Sequence, residues 1–304
     1  MAQAQRLPFV ADLRRVLEMG QAAGLTVVLD LHLEPSDKAR LEASAQGRAA
    51  LVELWSAMAG QLKDLPSAGL AFELYNEPQF YGQAGVHWAP LQRQLLQAVR
   101  SHAPQHTVLL TGHQGGGIEG LRRLQPVPDA AVIYVFHYYS PYLFTHQGAH
   151  WMETRYTTAG LHQGVRYPSA LQAGRPLQLS RQHPRAAAEL AAYVADGWNQ
   201  QRIEQELAQA AQWARSHGVR LVCNEFGVLR AAAEPDSRYR WIGDVRLSLE
   251  SHGIGWAVWD YTDIFGLTAQ SNQLGLRGKR QLEPAALEAL LGRSGSRRLA
   301  SERG

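Results

Sequence analysis

The sequence has one cysteine, Cys223, set in an apolar run. No internal disulfide can form, and a thiol in that setting reads as a small buried hydrophobe. No apolar run approaches the ~20 residues needed to cross a bilayer, so no membrane span is expected. The N-terminus, "MAQAQRLPF", lacks the apolar core of a signal peptide. Charge of one sign is scarce as well. The formal net charge is +3, and the final stretch "GRSGSRRLASERG" (292–304) holds four arginines against one glutamate. The body is therefore close to neutral. A folded nucleic-acid face needs clustered basic residues, so nucleic acid is not an expected partner. The tail at 292–304 reads as a solvated, disordered end.

What is present is a core and a rhythm. The 304 residues are 45% hydrophobic, enough for one large domain over 1–291. Six apolar runs recur: 25–32, 70–77, 107–113, 131–139, 219–227 and 254–261. Most are continuous rather than alternating, as in parallel strands covered on both faces. Helical stripes lie between them. Val10, Leu13, Val16 and Leu17 form the first, with Pro8 suited to its opening turn and Gly24 to its C-terminal cap. Others run through Leu51 to Leu62, Leu91 to Val99, Ile203 to Trp213, Trp241 to Leu249 and Pro284 to Leu291. Repeated strand-helix units predict an α/β fold with a parallel sheet. Pro141 to Gln200 forms one long excursion, with a helix expected near Ala186 to Asp196.

The polar residues choose between the two parallel architectures. His32, Glu77, His113, His137, Glu225 and Trp259 each stand at or near the C-terminal tip of a predicted strand. A closed (β/α)8 barrel collects its chemistry there from many strands. An open sheet concentrates it at one switch point. A barrel is expected, with six recognisable strands rather than eight.

Two glutamates stand out, each preceded by asparagine: Asn76-Glu77 and Asn224-Glu225. A lone Glu-Pro after a strand is an ordinary turn signal. Two matched strand-end carboxyl groups in one barrel suit glycosidic hydrolysis, in which one group protonates the leaving oxygen and the other attacks or activates water.

"LYNEP" (74–78), "FHYY" (136–139), "NEFG" (224–227) and "WAVWDY" (256–261), with "GLTVVLDLH" (24–32), resemble glycoside hydrolase family 5 over about 8–291. The resemblance implies a retaining β-glycosidase, cellulase-like and endo-acting. It implies Glu77 as general acid/base and Glu225 as nucleophile, with Asn76 holding the sugar 2-hydroxyl. It further implies that Tyr139 bonds the nucleophile beside His137, that Trp259 is a platform under the sugar, and that His32 lines the same subsite. No cofactor or metal is implied. The expected partner is a β-linked polysaccharide or oligosaccharide, acted on by a monomer outside the cytoplasm. The family's first two strands, and the arginine its second strand usually carries, are not found in the sequence.

Three other readings are weaker. Gly115, Gly117 and Gly120 match a dinucleotide fingerprint, but Pro126 and Pro128 cut short the helix it needs. His32, His113 and His137 could serve a metal-dependent hydrolase, without a supporting H-x-H or H-E-x-x-H pair. A non-catalytic glycan-binding or inactive truncated barrel is the last.

Overall fold

The structure is a computed structural model that describes residues 9–80, 87–152, 157–175, 183–269 and 281–301. Pro8 lies outside them. Six strands form one sheet in strict chain order: β1 (Val27–Asp30), β2 (Leu70–Glu73), β3 (Thr107–Thr111), β4 (Val132–Tyr138), β5 (Leu221–Phe226) and β6 (Gly255–Trp256). A doubly wound sheet reverses direction at its switch point. Strict chain order is that of the (β/α)8 barrel, and the six strands are those expected from the apolar runs.

The chain gathers into two compact units. The first takes Met1–Phe136 and Trp213–Val222. Its strands pair in parallel, with Val27 opposite Leu70, Ala71 opposite Thr107 and Val108 opposite Val132. Every residue of β2 is buried, which explains its unbroken apolar run. Ala71, Leu109 and Val135 meet in one core cluster. The helices of this unit are α1 (Val10–Ala22), α2 (Pro35–Glu42), α3 (Ala45–Leu62), α4 (Trp88–Arg100) and α5 (Ile118–Arg122). Ser44 caps α3 by accepting from the Gly47 amide at 2.9 Å. The predicted stripe Leu51, Trp55, Met58 and Leu62 is buried, each large apolar side chain contributing about 1.5–3 kcal/mol.

Two tryptophans tie these helices to strand tips. Trp55 Nε1 donates to the Leu74 carbonyl at 2.7 Å, and Trp88 Nε1 to the Thr111 carbonyl at 2.8 Å. Both carbonyls lie where regular pairing stops, and each needs a donor once buried. The first stripe departs from expectation. Val10 and Leu17 are buried, whereas Val16 is exposed, as are Met19, Leu25 and Val28 nearby. Among the described residues β1 ends the sheet, and no described strand covers this flank.

The second unit takes His137–Gln212 and Cys223–Gly304. The excursion contains α6 (Tyr142–Thr145), two 3-10 turns (Ala159–Leu161 and Ser169–Leu171) and α7 (Pro184–Ala195), and no strand among its described residues. Its buried backbone groups find partners, some within the excursion and some beyond it, such as the Gly164 amide on the Ala232 carbonyl. The Gln147 amide donates to the Phe144 and Val165 carbonyls and accepts from the Val165 amide. Helix α8 (Gln200–His217) runs to the next strand. Helix α9 (Pro235–Ser251) buries Trp241, Val245 and Leu249 as predicted. A short antiparallel pair, β7 (Thr268–Ala269) with β8 (Gln281–Leu282), precedes α10 (Pro284–Ser301). Helix α10 continues past Leu291 into the stretch read as tail, and Gly292 breaks it with a φ of 70°.

Candidate active site

In the first unit, three side chains follow one another at strand ends. Asp30 closes β1, His32 lies two residues on, and Asn76 lies just beyond β2. The Asp30 Oδ2 atom is 3.4 Å from His32 Nδ1. The Asn76 Nδ2 atom is 3.1 Å from His32 Nε2. A carboxylate facing Nδ1 favours the tautomer protonated there, which leaves Nε2 to accept from the Asn76 amide. Asn76 is buried and its own N–H donates to the Leu31 carbonyl. The amide group is thus held in one orientation. Asp30 was not singled out from sequence. The signal for it was the Asp-x-His alternation, which puts both side chains on one face of an extended segment.

Glu77 follows directly, in left-handed backbone with φ 44°, a conformation that costs a non-glycine residue energy. Its carbonyl accepts from Lys38 Nζ at 3.2 Å and from Gln79 Nε2 at 3.1 Å. The adjoining loop is also held from β3's side. The Gly115 amide donates to the Pro78 carbonyl at 3.0 Å, and His113 Nδ1 to the Phe80 carbonyl at 3.0 Å. Burial holds the His113 pKa below its ordinary value, consistent with a neutral ring serving structure. The glycine cluster at 115–120 has the same use. Its helix, α5, is five residues long, and a Cβ on Gly120 would meet the His113 carbonyl.

In the second unit, β4 and the residue after it present His137 and Tyr139, while Glu225 lies inside β5. The Tyr139 hydroxyl donates to Glu225 Oε1 at 2.6 Å. His137 Nε2 lies 3.6 Å from Glu225 Oε2. Tyr139 is 5% exposed and Glu225 9%, so each carboxylate oxygen meets a protein group with little water about. Thr145 Oγ1 donates to the Tyr139 carbonyl at 2.6 Å, and Phe265 and His146 pack edge-on against the Tyr139 ring. Tyrosine and carboxylate are therefore held by side chain and backbone alike.

Trp259 is 38% exposed. Its N–H donates to the Phe226 carbonyl at 2.8 Å. Gly227 makes that approach possible, because a Cβ there would sit 2.1 Å from the Trp259 carbonyl oxygen. Arg238 secures the same region. Its buried guanidinium donates to the carbonyls of Val228, Phe265 and Gly266. In the excursion, Trp151 and Tyr142 are exposed. Tyr138 belongs to the core, stacked on Trp241 with its hydroxyl on Glu206. Cys223 is fully buried and burial pushes its thiol pKa up, as an inert packing residue requires.

The family model for cellulase (glycosyl hydrolase family 5) matches residues 4–264. The chain belongs to glycoside hydrolase family 5. Endoglucanase C of Acetivibrio thermocellus is 27% identical over 253 residues, covering 81% of this chain and 71% of that protein. Endoglucanase 3 of Fibrobacter succinogenes is 28% identical over 225 residues, covering 71% of this chain and 33% of that longer protein. Among solved structures, the endoglucanase Cel5A of Thermotoga maritima superposes with a TM-score of 0.70 at 25% identity, covering 93% of this chain and 77% of its own.

This family 5 protein is a glycoside hydrolase, and its reaction is hydrolysis of β-glycosidic bonds. Neither the metal-dependent nor the non-catalytic reading is favoured by that membership. No helix among the described residues is long and apolar enough to cross a membrane.

Proposed function

We propose that this family 5 hydrolase is a retaining endo-β-1,4-glucanase, with Glu225 as nucleophile and Glu77 as acid/base. The observation that carries the reading is the buried Glu225 carboxylate, with Tyr139 on one oxygen and His137 facing the other. A nucleophilic carboxylate must be aimed and stay ionised, and a hydroxyl donor serves both needs. Glu225 attacks the anomeric carbon and forms a glycosyl ester. Glu77 protonates the departing oxygen, then takes a proton from the incoming water. Each half-reaction restores the other group's protonation state, so the cycle closes with no added reagent.

Asn76, fixed by His32 and Asp30, meets the sugar 2-hydroxyl. Trp259 offers a ring face to the apolar face of a pyranose, with polar groups at the rim. Relatives named endoglucanases favour β-1,4-glucan as substrate. The Thermotoga enzyme has been solved with cellobiose and with mannotriose, so a mannan is the competing choice. A polymeric glucan does not enter cells, which places the activity outside the cytoplasm, and the chain acts as a monomer.

The test is the anomer first released from a soluble β-1,4-glucan, followed by NMR. Retention of the β-anomer with a rapid fall in viscosity is expected. An α-anomer first would refute the double displacement, and slow viscosity loss would refute endo action.

A further inference from the structure

Helix α2, "PSDKARLE", looks like a solvated helix, yet Lys38 within it is only 5% exposed. Its Nζ reaches the Glu77 carbonyl at 3.2 Å and lies 6.0 Å from the centre of the Tyr75 ring. Glu42 stands one turn on, on the same face of the helix. Its Oε1 accepts from the Gln79 backbone N–H at 3.0 Å. Gln79 in turn sends its side-chain amide to the Glu77 carbonyl at 3.1 Å. Lys38 and Glu42 therefore close a ring of contacts around a segment, Glu77 to Gln79, that contains a glutamate in left-handed backbone.

Such a conformation persists only where its surroundings enforce it. Relaxing φ at Glu77 would swing the Cα–Cβ bond and carry the carboxyl away from its place at the strand tip. The contacts from α2 to the Glu77 carbonyl and the Gln79 amide fix the main chain from which the Glu77 side chain projects. Burial raises the Glu42 pKa, opposed by the Gln79 amide, the Tyr75 hydroxyl and the Lys38 charge.

We propose that Lys38, with Glu42, positions the acid/base Glu77 by holding the 77–79 main chain in its strained form. This rests on the reading of Glu77 as acid/base, and the experiment separates the two claims.

The probes are a cellooligosaccharide, whose leaving group needs a proton, and 2,4-dinitrophenyl β-cellobioside, whose leaving group does not. The readout is kcat/KM, which reports the glycosylation step. Glu77→Ala should lose ~10²–10⁴-fold on the oligosaccharide and little on the dinitrophenyl glycoside. Lys38→Met should show the same pattern at lower amplitude, about 10–100-fold on the oligosaccharide. Lys38→Arg, which keeps a donor, should recover part of it. Glu42→Gln retains an acceptor for the Gln79 amide and should show a milder form of the pattern. It also serves should Lys38→Met fail to fold. Equal losses on both substrates, or no loss, in Lys38→Met and Glu42→Gln would overturn the positioning role. If Glu77→Ala itself loses equally on both, the acid/base reading falls and the proposal with it. A wild-type chain that turns over neither substrate overturns both.

Discussion

Replacing Tyr139 by phenylalanine removes one hydroxyl and leaves its packing against Phe265 and His146 in place. The lost bond is the 2.6 Å contact to Glu225. A hydrogen bond to a charged group is worth about 1.5–3 kcal/mol, and the burial of both partners here argues against the low end. The two half-reactions feel its loss in opposite ways. With Glu225 as the proposed nucleophile, glycosylation consumes its negative charge, so the donor holds back the ground state and its removal leaves this step unchanged or faster. Deglycosylation restores that charge as the ester breaks, and the donor assists. If about half of the bond is realised at that transition state, the barrier rises by about 1 kcal/mol and the step slows about fivefold. With dinitrophenyl cellobioside, glycosylation is fast and the ester accumulates. Tyr139→Phe should therefore show a stopped-flow burst approaching one equivalent, then a kcat about fivefold lower, with kcat/KM nearly unchanged. Equal falls in kcat and kcat/KM without a burst would refute the argument, because the hydroxyl would then be serving something other than the departing carboxylate.

Arg238→Met orphans three buried carbonyls and should cost about 3 kcal/mol after allowing for the guanidinium's own desolvation; unchanged stability in urea unfolding would contradict it. Gly227→Ala drives a Cβ into the Trp259 carbonyl, so Trp259 must move and KM for cellooligosaccharides should rise about tenfold, or about 1.4 kcal/mol; an unaltered KM would show that Trp259 is no platform. Burial lowers the pKa of both His106 and His162, and each ring has a buried nitrogen with no hydrogen-bond partner. The unfolded chain then binds more protons than the folded one below the ordinary histidine pKa of about 6.5, so stability should fall as pH drops from 7 toward 5, by about 1.4 kcal/mol for each unit of depression. Urea midpoints at pH 7 and 5 measure it, and a midpoint that rises on acidification reverses the sign.

Much of the fold was legible because strands covered on both faces must be apolar along their length. Leu70 to Glu73 and Val132 to Tyr138 show that directly. Helices with a wide buried stripe were equally plain. Those without one were missed: α2, α5 and α6 are eight residues or fewer and announce no apolar period. The two-residue strands β7 and β8 carry no periodic signal at all. Val16 shows the opposite failure, an apolar position on a sound stripe that ends up exposed. Periodicity marks which face of a helix seeks cover, not whether a neighbour supplies it.

The proposed site divides along the same line, and the division is chemical. Glu225 lies inside a strand, so the sheet fixes its backbone and side chains on its own oxygens do the rest. Those side chains, His137 and Tyr139, alternate at period two and could be read from sequence. Glu77 lies past its strand, in backbone that no ladder holds, and it is kept there through its carbonyl and its neighbours' amides. Lys38, Glu42, His113 and Gly115 act on main chain from elsewhere in the sequence, a kind of support that no motif spells. A nucleophile has to present a fixed charge, and direct donors suit it. An acid/base has to lose and regain a proton within one cycle at a fixed place, and the contacts on the Glu77 carbonyl fix the main chain that sets that place.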